Sequence, residues 1–91
     1  MQPSAIRDLD ALRRTDAVRV ADGLEQFLTN EPKRESKSRI KRLRGISNPD
    51  YRLRIDDFRV FYNVDDSEGC VRILRIMHKN QTHDYYEEVQ S

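Results

Sequence analysis

The sequence predicts an α+β fold, with an N-terminal helical hairpin packed on a small antiparallel β-sheet. Three observations carry that expectation. Apolar residues recur at helical spacing through the first thirty positions, whereas Tyr51 to Val64 alternates apolar and polar side chains with a period of two. Asp56-Asp57 interrupts the alternation where a two-residue hairpin loop would fall. The length, 91 residues, suits one domain with one modest core, so helices and strands must share it. Residues 1–91 are therefore read as a single domain.

In chain order, Ser4 is a candidate N-cap, followed by Ala5, Ile6, Leu9 and Leu12 on one face. Two cations, Arg13-Arg14, suit the carbonyl end of that helix. Thr15 or Asp16 can cap a second helix, whose apolar face runs through Ala17, Val20, Ala21, Leu24, Phe27 and Leu28. Asn30-Glu31-Pro32 stops it. Two amphipathic helices joined by a tight turn need an apolar surface to cover, and the sheet that follows is the sizeable one.

Lys33 to Arg44 holds Ile40 and Leu43 among eight charges and two serines, and reads as an exposed, partly extended connector. Gly45 to Pro49 is a loop by its turn residues. A turn at Asp56-Asp57 sets the hairpin register: 55 faces 58, 54 faces 59, 53 faces 60 and 52 faces 61. Tyr51, Leu53, Ile55, Phe58, Val60 and Tyr62 then share the core face. Arg54 lies directly across from Arg59 on the other face, with Arg52 and Phe61 beside them. Like charges opposed on a ladder destabilise a sheet, and a bound anion would explain them. Asp65 to Gly69 is a second, solvated turn, and Cys70 to Met77 a third strand. Its faces conflict, because Leu74 and Ile76 favour one and Val71 and Ile73 the other. In the polar tail from His78, residues Tyr85, Tyr86 and Val89 are spaced for a turn of helix or a short strand.

Composition narrows the partners. Charged and hydrophobic residues each make up 36%, so the core is thin and help from a partner is expected. The net charge is only +1, but its distribution is uneven. Between Lys33 and Arg54 nine basic side chains stand against Glu35 and Asp50, a net of +7. That makes one basic surface on a nearly neutral protein. Cys70, the only cysteine, excludes an internal disulfide and a cysteine-based metal site, and is read as structural. A reducing cytoplasm is the expected location, because small secreted domains usually carry several cysteines. No apolar run has the length of a membrane span, and no signal-like segment opens the chain.

The residues now quoted resemble a known family. Pro3-Ser-Ala-Ile-Arg-Asp-Leu9, then Lys41-Arg-Leu-Arg-Gly45, the strand Tyr51-Arg-Leu-Arg54, the strand Asp57-Phe-Arg-Val-Phe-Tyr62 and Leu74-Arg-Ile-Met-His-Lys79 follow in the order and spacing of the RelE/ParE toxin superfamily of type II toxin–antitoxin systems. The resemblance covers most of the chain and implies a RelE-like sheet covered by a helical hairpin. Two departures stand out. Family members open with a β-strand, whereas this chain begins at the helix, so either the start is truncated or the sheet lacks a strand and has an open edge. RelE-like nucleases commonly place lysines where this chain has Arg52 and Arg54.

What the resemblance implies is cleavage of messenger RNA in the ribosomal A site, without a metal or other cofactor. The ribose 2′-hydroxyl attacks the adjacent phosphate, which requires a base, cations for the charged phosphorane, and an acid for the leaving 5′-oxygen. Arg52, Arg54 and Arg59 suit the middle role, since guanidinium matches phosphate and stays charged. The proton work falls to Lys79, His78, His83 or Tyr85; spacing from His78 puts His83 at the family's tyrosine position, whereas matching the following helix selects Tyr85. Lys37, Lys41, Arg42 and Arg44 are candidate RNA contacts, and Phe61 a surface on which a base could stack. The implied partners are a cognate antitoxin that wraps the toxin, messenger RNA on the ribosome, and operator DNA reached through the antitoxin. No membrane partner is implied. A ParE-like inhibitor of DNA gyrase and a catalytically inactive corepressor are the alternatives.

Overall fold

Helices α1 (Pro3–Asp10) and α2 (Arg14–Leu28) precede strands β1 (Ile40–Arg42), β2 (Tyr51–Ile55), β3 (Phe58–Asp65) and β4 (Cys70–His78), and a 3-10 turn at Lys79–Gln81 leads into α3 (Thr82–Gln90). The computed structural model describes residues 1–90 apart from Asn30, Lys37 and Ser47. The strands form one antiparallel sheet in the order β1-β2-β3-β4. Asp56 opens the β2–β3 loop with φ 51°, a left-handed conformation that Asp tolerates better than most residues.

One face of the sheet carries Ile40, Tyr51, Leu53, Ile55, Val60, Tyr62, Ile73 and Ile76, and buries them against Ala5, Val20, Leu24 and Leu28 of the helices. The helix pair comes close here. A Cβ at Gly23 would lie 2.6 Å from Ile55 Cδ1 and 2.8 Å from its Cγ1, so the glycine lets α2 approach β2. Tyr51 and Tyr62 stack at 5.4 Å, and the Tyr62 hydroxyl donates to the Pro32 carbonyl.

The conflicting faces of the third predicted strand have a simple cause. Phe61 pairs with Arg75 and Tyr62 with Ile73, which leaves Leu74 as the extra residue of a β-bulge. The bulge resets the alternation, so Ile76, Ile73 and Val71 all face the helices while Arg75 and Met77 face the other way.

The helix starts differ from the expected ones. Ser4 does not cap α1. The helix begins at Pro3 with Gln2 in the cap position and no side-chain cap, and the Ser4 hydroxyl donates to Leu74 O at 2.8 Å. α2 begins at Arg14, so neither Thr15 nor Asp16 caps it. The charged connector contributes the short strand β1, whose residues Ile40, Lys41 and Arg42 pair with Leu53, Arg52 and Tyr51.

No strand precedes α1 among the described residues, yet the outer edge of β4 is not open. Gln2 N–H donates to Ile73 O at 2.9 Å, Ser4 serves Leu74 O, and Asp8 Oδ2 accepts from Ile76 N–H at 2.9 Å. The opposite edge is closed in the same manner. Ser36 meets both Ile40 N–H and Ile40 O, and Glu35 accepts from Arg42 N–H at 3.0 Å. Side chains and backbone N–H groups of the neighbouring segments here do the work of flanking strands.

Candidate basic cleft

The second face of the sheet carries the cations. Lys41, Arg52, Phe61 and Arg75 form one row across the four strands, and Arg54 faces Arg59 in the next. α3 covers part of this face. Tyr85, Tyr86 and Val89 pack on Phe61, Met77 and Leu43 in a second, smaller apolar cluster. The arginines lie beside that cluster.

Arg59 is half-buried, and its Nη1 donates to Asp56 O at 3.0 Å and Phe58 O at 2.9 Å, which folds the side chain back on the hairpin turn. Burial above all, then the neighbouring Arg52 and Arg54, pull its guanidinium pKa below the ordinary arginine value. Nearby Asp57 and Tyr86 act in the opposite sense. Three guanidinium groups thus repel one another on one surface. Arg52 Nε is buried without a hydrogen-bond partner, which is a costly state for a polar atom and one that an acceptor would relieve. Beside it opens a cleft of about 420 Å³ lined by Lys41, Leu43, Arg44, Ile46, Arg52, Tyr86 and Gln90. Three cations, one phenol and no carboxylate line it, a donor set that fits a phosphate and offers a divalent ion little.

The remaining predicted site residues divide. Lys79 does not line the cleft but sits at the β2–β3 turn, where its Nζ lies 3.4 Å from Asp57 and its N–H donates to Asp57 O at 2.7 Å. Lys41 and Arg44 line the cleft. Arg42 does not, because its guanidinium lies 5.6 Å over the Tyr51 ring and bonds the Tyr51 hydroxyl on the helix-covered face. Lys37 lies outside the described residues. His78 Nδ1 accepts from Asn80 N–H to cap the 3-10 turn, and its ring meets Phe58 on the helix side. His83 projects from α3 into solvent and pairs with Glu87 at 3.1 Å.

Two aromatic assignments change. Phe61 is 0% exposed, under Tyr85 at 4.7 Å and Tyr86 at 5.6 Å, so it is a core residue of the second cluster and offers no surface to a base. Tyr85 is buried against it, and that burial pushes its phenol pKa up. The aromatic residue that reaches the cleft is Tyr86, edge-on to Phe61 and a neighbour of Arg59. Its signal in the sequence was the Tyr85-Tyr86 pair itself. Adjacent helical residues point about 100° apart, so when one packs inward the other reaches sideways.

Asp65, Glu68 and Cys70 are the one His/Cys/Asp/Glu group among the described residues with converging ligand atoms. They sit at the far end of β3, where Arg72 already pairs with Asp65 and Glu68.

A four-stranded antiparallel sheet with a helix pair on one face and a cationic cleft beside a C-terminal helix on the other defines a small α+β protein with one basic face. Residues 1–83 match the family described as ParE toxin of type II toxin–antitoxin system, parDE, and the chain belongs to that family. It is a toxin of a type II toxin–antitoxin system. A solved toxin–antitoxin complex, RelBE2 of Mycobacterium tuberculosis, contains a chain 29% identical, with a TM-score of 0.67 over 85% of this chain and 90% of that one. The RelB–RelE antitoxin–toxin complex of Methanococcus jannaschii has the same fold at 21% identity, with a TM-score of 0.68 over 92% and 94%. A comparison with curated proteins finds none that matches. No helix among the described residues is long and apolar enough to cross a membrane.

Proposed function

We propose that this toxin is a ribosome-dependent, metal-independent endoribonuclease that cleaves messenger RNA in the A site and so stops translation. One observation carries the reading: Arg52, Arg54 and Arg59 converge on one face despite their repulsion, with Arg52 Nε unpartnered beside a carboxylate-free cleft. In this reading the 2′-hydroxyl attacks the adjacent phosphate while the guanidinium groups hold the pentacoordinate phosphorane. The P–O bond to the 5′-oxygen breaks, leaving a cyclic phosphate and a 5′-hydroxyl.

Guanidinium donates but does not accept, whereas a phenol does both. Tyr86 is therefore the proton carrier, Lys79 a cation at the β2–β3 turn, and Lys41 and Arg44 contacts for the RNA strand. A cognate antitoxin holds the toxin inactive, as the two neighbouring structures are toxin–antitoxin complexes. The antitoxin brings the pair to operator DNA, and the system works in the cytoplasm.

Inhibition of DNA gyrase is the second reading, favoured by the ParE description of the matching family. Inducing the toxin in cells separates the two. Codon-phased new 5′ ends on translated messages support the nuclease. Intact messages with accumulating double-strand DNA breaks overturn it in favour of the gyrase poison, and no growth effect leaves the inactive corepressor.

A further inference from the structure

Apart from the cleft, a set of polar contacts joins the two ends of the chain. Asp8 on α1 receives Arg75 Nε at 2.7 Å and Nη2 at 3.3 Å, a bidentate pair across 67 positions. The same carboxylate closes the β4 edge through Ile76 N–H at 2.9 Å. Both side chains are partly buried, 18% exposed for Asp8 and 35% for Arg75. The guanidinium also lies 5.6 Å over the ring of Tyr85, which leans on Phe61. Arg75 further shares a small cleft with Asp84 and Glu88 of α3.

α3 has nine residues, too few to hold a helix in water unaided. Its orientation depends on what it packs against. Phe61 and Met77 supply apolar contact, whose driving force is non-directional. The Arg75 guanidinium is different, because its edge is fixed by Asp8 and its flat face fixes the ring of Tyr85. Tyr86 is the next residue.

We propose that Asp8 and Arg75 are positioning residues, an ion pair that anchors α3 to α1 and thereby sets Tyr86 in the arginine cleft. The anchoring stands on the contacts alone, and only its catalytic consequence rests on the nuclease reading. The pair touches neither substrate nor reacting atoms.

The test compares wild-type toxin with Asp8→Asn, which keeps an oxygen for Ile76 N–H, with Arg75→Met, which keeps the stem length, and with Asp8→Glu. Amide exchange is followed in α3, with Val60 and Tyr62 in β3 as reporters of global opening. Single-turnover cleavage on programmed ribosomes is measured in parallel. The expected result is α3 exchange roughly tenfold faster in Asp8→Asn and Arg75→Met, the scale of a lost charged hydrogen bond, with β3 unchanged. The cleavage rate constant falls about 10- to 100-fold while KM stays within about twofold, as for a displaced but intact catalytic group. Asp8→Glu recovers part of both. Unchanged α3 exchange, or equal acceleration in α3 and β3, overturns the anchor. A wild-type protein that cleaves nothing overturns the nuclease reading, and the exchange data still decide the anchor.

Discussion

Replacing Arg54 with glutamine should make this toxin more stable and less active. Arg54 faces Arg59 across the β2–β3 ladder and is exposed, and no ion pair to its side chain occurs among the described residues. Its hydrogen bonds beyond the ladder are both made by backbone groups, the N–H donating to Arg39 O at 2.9 Å and the carbonyl accepting from Arg39 Nη1, and both survive the change. Facing residues have Cβ atoms about 5 Å apart, and long side chains splay their heads to about 7 Å. Coulomb's law puts the repulsion at about 0.6 kcal/mol in water, and about twice that once the partial burial of Arg59 lowers the local dielectric. For a domain of this size the melting temperature should rise by about 3–6 °C. Melts followed by circular dichroism at low and at 1 M salt check the cause, since screening at a Debye length of about 3 Å should shrink the gain. Cleavage should fall by roughly 100-fold, the cost of one donor lost from a preorganised anion site. A lower melting temperature, or a gain indifferent to salt, would refute the claim that the arginines are held together against their own repulsion.

Other outcomes follow from the same geometry. Tyr86→Phe keeps the ring against Phe61 and should slow single-turnover cleavage by about 100-fold or more, whereas Tyr85→Phe should leave the rate within a few-fold. Burial holds the Tyr62 and Tyr85 phenols above the ordinary 10.0 in the folded state. The folded chain therefore keeps protons that the unfolded chain loses, so stability is full below about pH 10 and declines above it, seen as a falling urea midpoint. Phenolate absorbance should show Tyr62 and Tyr85 ionising at higher pH in the folded protein than in urea. Gly23→Ala gains helix propensity of up to about 1 kcal/mol but drives a methyl into Ile55. Overpacking of about 1–3 kcal/mol should win, for a net loss of about 1 kcal/mol in denaturant titrations.

The hairpin was legible because two features agreed, the period-two alternation and the Asp56-Asp57 loop, and its register is the expected one. β1 was not, because Ile40 is its one buried side chain and its place is fixed by backbone bonds to β2 and by caps from Ser36 and Glu35. Nor could alternation assign β4, since a single extra residue at Leu74 inverts the faces beyond it. Ser4 looked like a helix cap because a cap and an edge partner demand the same hydroxyl. At the site, the juxtaposition of Arg54 with Arg59 followed from register alone. Phe61 differs from its expected place because period-two alternation predicts one buried face, whereas α3 buries part of the second. The choice between Tyr85 and Tyr86 depended on that hidden cluster and was beyond local pattern.

In the proposed function, the arginine face grips a scissile RNA phosphate. That grip is tested most directly by 5′-end mapping on ribosomes translating a defined message, with wild-type toxin, Arg59→Ala and Tyr86→Phe, each with and without chelator. The expected result is codon-phased cleavage by the wild type that persists in chelator and disappears in both variants. Cleavage retained by Arg59→Ala, or absent in the wild type while DNA breaks accumulate in induced cells, would contradict it.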